Sequence, residues 1–218
     1  MTRPVATLVV MARYPTVGKV KTRLARTIGA AAACALYRAF LADLDARFGS
    51  GPRPLVWAYD PPDADFAALV QPGALCVPQA GPDLGTRMHT AVRRFCGDGS
   101  RGVLIIGADA PHVRDAWLAE ADDALRHADV VLGPSTDGGY YLIGMRQPHD
   151  VFTGVPMGTA GVMAHTIGRA VALGLRVHCL PETFDVDEAA DVDRLRRELA
   201  GNPGLALPAT AAVLATMV

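Results

Sequence analysis

Ala6-Thr7-Leu8-Val9-Val10-Met11-Ala12-Arg13-Tyr14-Pro15-Thr16-Val17-Gly18-Lys19-Val20-Lys21-Thr22-Arg23-Leu24 joins an apolar run to a cation-rich loop and then to a helix start. The run Ala6–Ala12 reads as a strand, so the stretch as a whole makes a first β-loop-α unit. Lys19 and Lys21 are the only lysines in 218 residues, and every other basic residue is arginine. An ammonium is a compact charge on a flexible stem, suited to an anionic oxygen that moves, whereas guanidinium is a rigid fork. Backbone N–H groups and the positive dipole end at a helix start also face an anion. The loop therefore reads as a phosphate cradle, with a solvated basic loop as the plainer alternative.

The same alternation continues along the chain. Apolar or β-branched runs at Leu55–Tyr59, Ala74–Val77, Val103–Gly107, Val130–Gly133, Tyr140–Met145 and Arg176–Leu180 are spaced as strands. Between them Leu36, Phe40, Leu44 and Phe48 recur every four residues. Leu84, Met88, Val92 and Phe95, and Trp117, Ala121 and Leu125, follow helical spacing too. Strands alternating with helices of this length predict an α/β fold with a mainly parallel, helix-covered sheet. Val103-Leu104-Ile105-Ile106 and Val130-Val131-Leu132 are apolar without alternation, as strands buried on both faces are. The Gly49–Pro52 and Gly97–Ser100 clusters read as loops rather than domain linkers. One catalytic domain over residues 1–204 is expected, followed by an apolar tail at 205–218 packed as a helix.

In such sheets ligands bind beyond the carboxyl ends of the strands. Asp109 follows the strand Val103–Gly107, where its carboxylate can ligate a hard divalent cation; a helix cap or turn is the alternative. In Asp185-Val186-Asp187 the two carboxylates point one way and Val186 the other. Asp191, and with it Glu188, fits the first turn of the next helix. Asp137-Gly138-Gly139 is either a hairpin turn before Tyr140 or a close-approach loop beside an acceptor. Gln79–Thr90 runs from loop to helix, with Asp83 and Thr86 also readable as caps.

Composition limits the classes. The formal net charge of −1 gives no global field for nucleic acid or an anionic membrane. Cys34, Cys76, Cys96 and Cys179 lack CxxC spacing, which argues against zinc or a disulfide framework and suits a cytoplasmic protein. No signal peptide is read in Met1-Thr2-Arg3-Pro4 and the short apolar run after it. The tail is too short to span a bilayer. The histidines show no ligand spacing, and His112 stands out only for its nearness to Asp109. Trp57 and Trp117 read as packing residues.

The order of these pieces resembles the nucleotide-diphospho-sugar transferase superfamily with its GT-A fold, a three-layer αβα sandwich. The similarity spans about residues 5–200 through Met11–Leu24, Asp83–Arg87, Gly107–Pro111, Gly133–Gly144 and Asp185–Asp191. It looks most like bacterial transferases associated with radical-SAM and arsenosugar gene clusters, and is similar to phospholactate guanylyltransferases. Arg13, Ala110 and Met157 depart from the pattern, which more often has Lys, Ser or Cys, and Trp there. The resemblance implies nucleotide binding by Ala12, Arg13, Gly18, Lys19, Lys21, Asp83, Leu84 and Arg87, with Arg13, Lys19, Lys21 and Arg23 on phosphates. It implies Mg²⁺ (or Mn²⁺) on Asp109, Asp185 and Asp187, and an acceptor at Asp137, Gly138, Gly139 and Thr159.

The expected activity is metal-dependent transfer of a nucleotidyl group from a nucleoside triphosphate to a small anionic metabolite, releasing pyrophosphate. Lys21, Arg23 and Asp109 would be catalytic. Glycosyl transfer from a nucleotide sugar on the same fold is the alternative, and a non-catalytic nucleotide-binding protein is the third class. No nucleic acid or membrane span is expected.

Overall fold

The computed structural model describes residues 5–96 and 102–217. Met1–Pro4 and the loop expected at Gly97–Ser100 lie outside the described residues. The sheet has seven strands: β1 (Thr7–Arg13), β2 (Leu55–Asp60), β3 (Leu75–Pro78), β4 (Val103–Gly107), β5 (Val130–Pro134), β6 (Tyr140–Met145) and β7 (Val177–Cys179). Their spatial order is β3-β2-β1-β4-β6-β5-β7. Only β6 runs antiparallel to its neighbours, β4 and β5; the other pairings are parallel.

Each strand expected from the sequence forms within about two residues of its place. Val103, Leu104, Ile105 and Ile106 are all buried because β4 sits mid-sheet with helices on both faces. Their alternation divides them. Leu8, Val10, Leu104 and Ile106 pack into one layer with Leu36, Phe40 and Leu44 of α2 (Ala30–Phe48). Val9, Ile105 and Ile143 face the other layer, with Met88 and Val92 of α3 (Leu84–Phe95). The periodic helical positions thus become the inner stripes of the two outer layers.

The first layer also contains α1 (Thr22–Ile28), α4 (Asp115–Ala124), α6 (Ala189–Gly201) and α7 (Pro208–Thr216). The second also contains α5 (Val162–Ala172). Among the described residues no helix is long and apolar enough to cross a membrane.

A buried acid ties α7 to α2. Asp43 is 1% exposed, and its carboxylate accepts from Ala209 N at 2.9 Å and Thr210 N at 2.8 Å. These N–H groups open α7 and have no helical partner of their own, so Asp43 caps the helix from outside it. Hydrogen bonds to a charged acceptor contribute about 1.5–3 kcal/mol each, partly offset by burial of the carboxylate. We expect Asp43→Ala to lower the free energy of urea unfolding by about 2–4 kcal/mol. An unchanged denaturation midpoint would rule out this role.

Candidate active site

β1, β4 and β5 deliver their carboxyl ends, and antiparallel β6 its amino end, to one edge of the sheet. A cleft of about 890 Å³ opens there. Every residue expected at the site lines it except Gly18 and Gly138. Gly18, at φ 77°, makes the turn of the cationic loop. Gly138 lies behind the cleft wall at φ 88°, and a Cβ there would meet Ala160 O at 2.0 Å. The turn 135–139 is therefore pressed onto the 158–161 segment, and Met163 N donates to Gly138 O at 3.1 Å.

The cationic loop is braced from behind by α2. Cys34 Sγ and an Arg38 guanidinium N–H both donate to Pro15 O, while Arg13 N donates to Tyr37 Oη at 2.9 Å. The loop ends at Lys21, the N-cap of α1, with φ 48° and ψ 45°. Among the described residues it is the one non-glycine with positive φ. A left-handed conformation disfavours an L-residue by roughly 1–2 kcal/mol and persists where surroundings over-determine it.

Those surroundings are explicit. The Lys21 side chain is 2% exposed, and its Nζ lies 2.5 Å from Asp109 Oδ1 and 3.0 Å from Asp187 Oδ1. The same nitrogen stands 5.9 Å from the Tyr37 ring centroid and 5.8 Å from that of Phe40. Burial alone would lower the lysine pKa, but attraction and hydrogen bonds from Asp109 and Asp187 outweigh it and the net shift is upward. Lys21 is therefore a full ammonium. Tyr37, pushed up by burial and by Asp109, stays a neutral phenol.

Asp109 and the 185–187 segment are held together by backbone. Val186 N donates to Asp109 O at 3.0 Å, and Val186 is fully buried while the acids on either side face the cleft. Past β7 the chain goes on pairing with the β5 side, through Leu180 N to Leu132 O and Thr183 N to Pro134 O. That pairing carries Asp185 to Ser135, whose Oγ donates to Asp185 Oδ2 at 3.1 Å. Burial first, then the negative charges of Asp109 and Asp137, push Asp185 up to about 7, with Lys21 pulling the other way. The cluster thus carries more negative charge than Lys21 neutralises. Glu188 and Asp191 form the capping box of α6, and Asp191 also accepts from Asp187 N.

Three carboxylates with excess negative charge are the donor chemistry of a hard divalent cation. In the present arrangement no three acidic, histidine or cysteine side chains among the described residues are gathered around one ion position. Asp109 and Asp187 share the Lys21 ammonium instead. The donor set fits such an ion by charge and ligand type.

On the opposite wall Asp83 caps α3, accepting from Thr86 N at 2.8 Å and from Thr86 Oγ1. Those hydrogen bonds hold its carboxyl below the usual range. Arg87 is committed to the loop: Nε donates to Gly81 O, and its guanidinium pairs with Asp60 at 3.3 Å. Gln79 donates to Ala12 O and Ala58 O, so the Ala12 carbonyl is already used. Leu84 is 48% exposed on this wall. Among the described residues Arg13, Lys19 and Arg23 make no ion pair and stand as uncompensated charges on the rim.

Beyond them, Asp137 accepts from Gly139 N at 2.9 Å, and Thr159 Oγ1 donates to Pro156 O at 2.9 Å. Sequence reasoning assigned no role to Tyr37, and none to Gln79 beyond opening the Gln79–Thr90 loop. Gln79 follows β3 directly, and the strand-end rule could have singled it out. Tyr37 sits beside the α2 stripe and carried no distinguishing signal.

His112 is a strut beneath this floor. It is 2% exposed, with Nε2 at 2.9 Å from Thr183 Oγ1 and its ring 4.2 Å from that of Phe184. Burial, then Arg194, Arg47 and Arg114, lower its pKa to about 3. The unfolded chain, titrating near 6.5, binds the proton first, so His112 contributes full stability above about pH 6.5. That contribution declines as pH falls toward 3, at about 1.4 kcal/mol per unit. Between pH 7.5 and 4.5 wild type should lose about 2–3 kcal/mol more unfolding free energy than His112→Gln. Parallel pH profiles would refute it.

A family described as "Uncharacterized protein conserved in bacteria (DUF2064)" matches residues 42–159. No curated protein matches the chain. Among solved structures it is similar to a Desulfovibrio desulfuricans G20 protein provisionally described as a nucleotide-diphospho-sugar transferase. That pair shares 33% identity and a TM-score of 0.86 over 97% of each chain. A nucleotidyl transferase from Methanothermobacter is 15% identical, with a TM-score of 0.56 over 90% of this chain and 99% of that one. The 4-diphosphocytidyl-2C-methyl-D-erythritol synthase of Anaerococcus prevotii is 9% identical, with a TM-score of 0.57 over 91% and 100%. At these lower identities the likeness is one of fold, and the fold is that of nucleotide-diphospho-sugar transferases.

Proposed function

We propose that this chain, which belongs to the DUF2064 family, transfers a nucleotidyl group from a nucleoside triphosphate to a small acceptor and releases pyrophosphate. The observation that carries the reading is Lys21, a buried ammonium held between Asp109 and Asp187, beside Arg13, Lys19 and Arg23, which make no ion pair among the described residues. Cations for a polyphosphate and acids for a divalent ion meet in one cleft.

In this reading an acceptor oxygen forms a bond to the α-phosphorus as the bond from that phosphorus to the bridging oxygen breaks. Pyrophosphate leaves in line. Such a transition state needs charge stabilisation and positioning rather than a protein nucleophile. Arg13, Lys19 and Arg23 hold the outer phosphates, and Lys21 the α-phosphate. Asp109, Asp185 and Asp187 would hold Mg²⁺ or Mn²⁺, which when bound neutralises phosphate charge. Ala12, Asp83 and Leu84 line the base side, with Arg87 fixing that wall rather than reaching for phosphate. Asp137, Gly139 and Thr159 face the acceptor, for which a phosphorylated or carboxylated metabolite is our expectation. Substrates of this kind belong to the cytoplasm.

A second reading, glycosyl transfer from a nucleotide sugar, draws on the provisional description of the 33% identical Desulfovibrio protein and on the gene-cluster association of similar transferases. The crowded basic loop favours the triphosphate, because a metal-bound diphosphate carries less charge. A thermal-shift panel of triphosphates and nucleotide sugars, each with Mg²⁺ or EDTA, separates the two. A ligand at a hundred times its Kd stabilises by about 2.7 kcal/mol. We expect a Mg²⁺-dependent rise with one triphosphate. A rise confined to a nucleotide sugar would favour the second reading.

A further inference from the structure

We propose that Lys21 is the resident counter-ion of the acidic cluster: it competes with a divalent cation for Asp109 and Asp187, and the cation binds well only with a polyphosphate that draws Lys21 away. The inference rests on the reading of Asp109, Asp185 and Asp187 as cation ligands.

The geometry supplies the competition. Lys21 Nζ contacts one oxygen of each of Asp109 and Asp187, two of the three candidate ligands. It approaches from the buried side: the lysine side chain is 2% exposed, whereas those of Asp109 and Asp187 are 46% and 42% exposed. The carboxylates are thus open to the cleft on one side and satisfied by an ammonium on the other. No closed ion position exists among the described residues while this bridge stands.

The means of release is also present. Lys21 sits where the loop meets α1, in a left-handed backbone conformation, and carries its charge on a four-carbon stem. Arg13, Lys19 and Arg23 on the rim would bring a polyphosphate to within reach of that stem. An incoming phosphate offers Lys21 a new anion, and the vacated carboxylates accept the doubly charged ion. Binding of the two ligands is then mutually reinforcing, each raising the affinity of the other by one common factor.

The test follows free Mn²⁺ by electron paramagnetic resonance in wild type, Lys21→Met and Lys21→Gly. Glycine accommodates the positive φ without strain, so it guards against a backbone artefact. Mn²⁺ is titrated alone and with the α,β-methylene analogues of ATP, GTP, CTP and UTP in turn, against protein-free controls. Both variants should bind Mn²⁺ alone at least tenfold more tightly than wild type. One analogue should strengthen Mn²⁺ binding to wild type at least tenfold, and to the variants far less.

Variants that bind Mn²⁺ alone no better than wild type, while an analogue still recruits the ion, would overturn the counter-ion role and leave the functional reading standing. No Mn²⁺ uptake by any of the proteins, even with analogues, would overturn the metal reading and this inference together.

Discussion

Lys21→Ala should reduce turnover by about two to three orders of magnitude while the folded protein persists. The size follows from the effect of removing one preorganised charge donor from a charged transition state, about 2.7–4 kcal/mol. The effect should fall on kcat more than on KM, because Arg13, Lys19 and Arg23 still hold the outer phosphates in the ground state. Lys21→Arg should fail nearly as badly. The ammonium occupies a buried position walled by Tyr37 and Phe40 and contacts single oxygens of Asp109 and Asp187. A planar fork needs a different shape and bidentate partners. Steady-state kinetics with circular dichroism as a fold control reads this out, and wild-type turnover in Lys21→Ala would end the assignment.

Asp109→Asn should remove about as much activity and, with it, the metal-dependent part of ligand binding. Asp109 is the acid nearest Lys21, and after burial its charge is what most raises the pKa of Asp185. Neutralising it leaves the candidate cation position one carboxylate short, and a divalent ion contributes several kcal/mol to a charged transition state. Stability should fall by about 1–3 kcal/mol, because the buried Lys21 ammonium loses one of the two carboxylates that outweigh its desolvation. The expected thermal-shift pattern is a nucleotide response no longer different between Mg²⁺ and EDTA. A preserved Mg²⁺ increment in Asp109→Asn would remove Asp109 from the proposed ligands.

Much of the fold was legible because it rests on local signals. Doubly buried strands read as unbroken apolar runs, and the α2 and α3 stripes as four-residue recurrences, so the layers follow from periodicity. The strand-end rule then selected Asp109, Asp185 and Asp187 without knowledge of strand order. Strand order itself was not local. Insertion of antiparallel β6 between β4 and β5 brings the Asp137–Gly139 turn to the ligand edge, and alternation of strand and helix does not specify it.

Pairings across long separations were equally hidden. Lys21 and Asp187 are 166 positions apart, and Asp43 lies as far from the N–H of Ala209 that it caps. Arg87 looked like a free nucleotide ligand because nothing in its neighbourhood announces Asp60, the last residue of β2, as its partner. His112 carried no sign of its buried, neutral state, which depends on three arginines from α2, the α4 N-terminus and α6.

The central claim, that a triphosphate is opened at its α-phosphorus, is tested most directly by phosphorus NMR. The protein is incubated with Mg²⁺, the four ribonucleoside triphosphates, nucleotide sugars and a bacterial small-molecule extract as the source of acceptor. One triphosphate should disappear as pyrophosphate and a new product retaining the α-phosphorus rise in equal amounts. Loss of a nucleotide sugar with release of its nucleoside diphosphate, the triphosphates remaining intact, would contradict the claim.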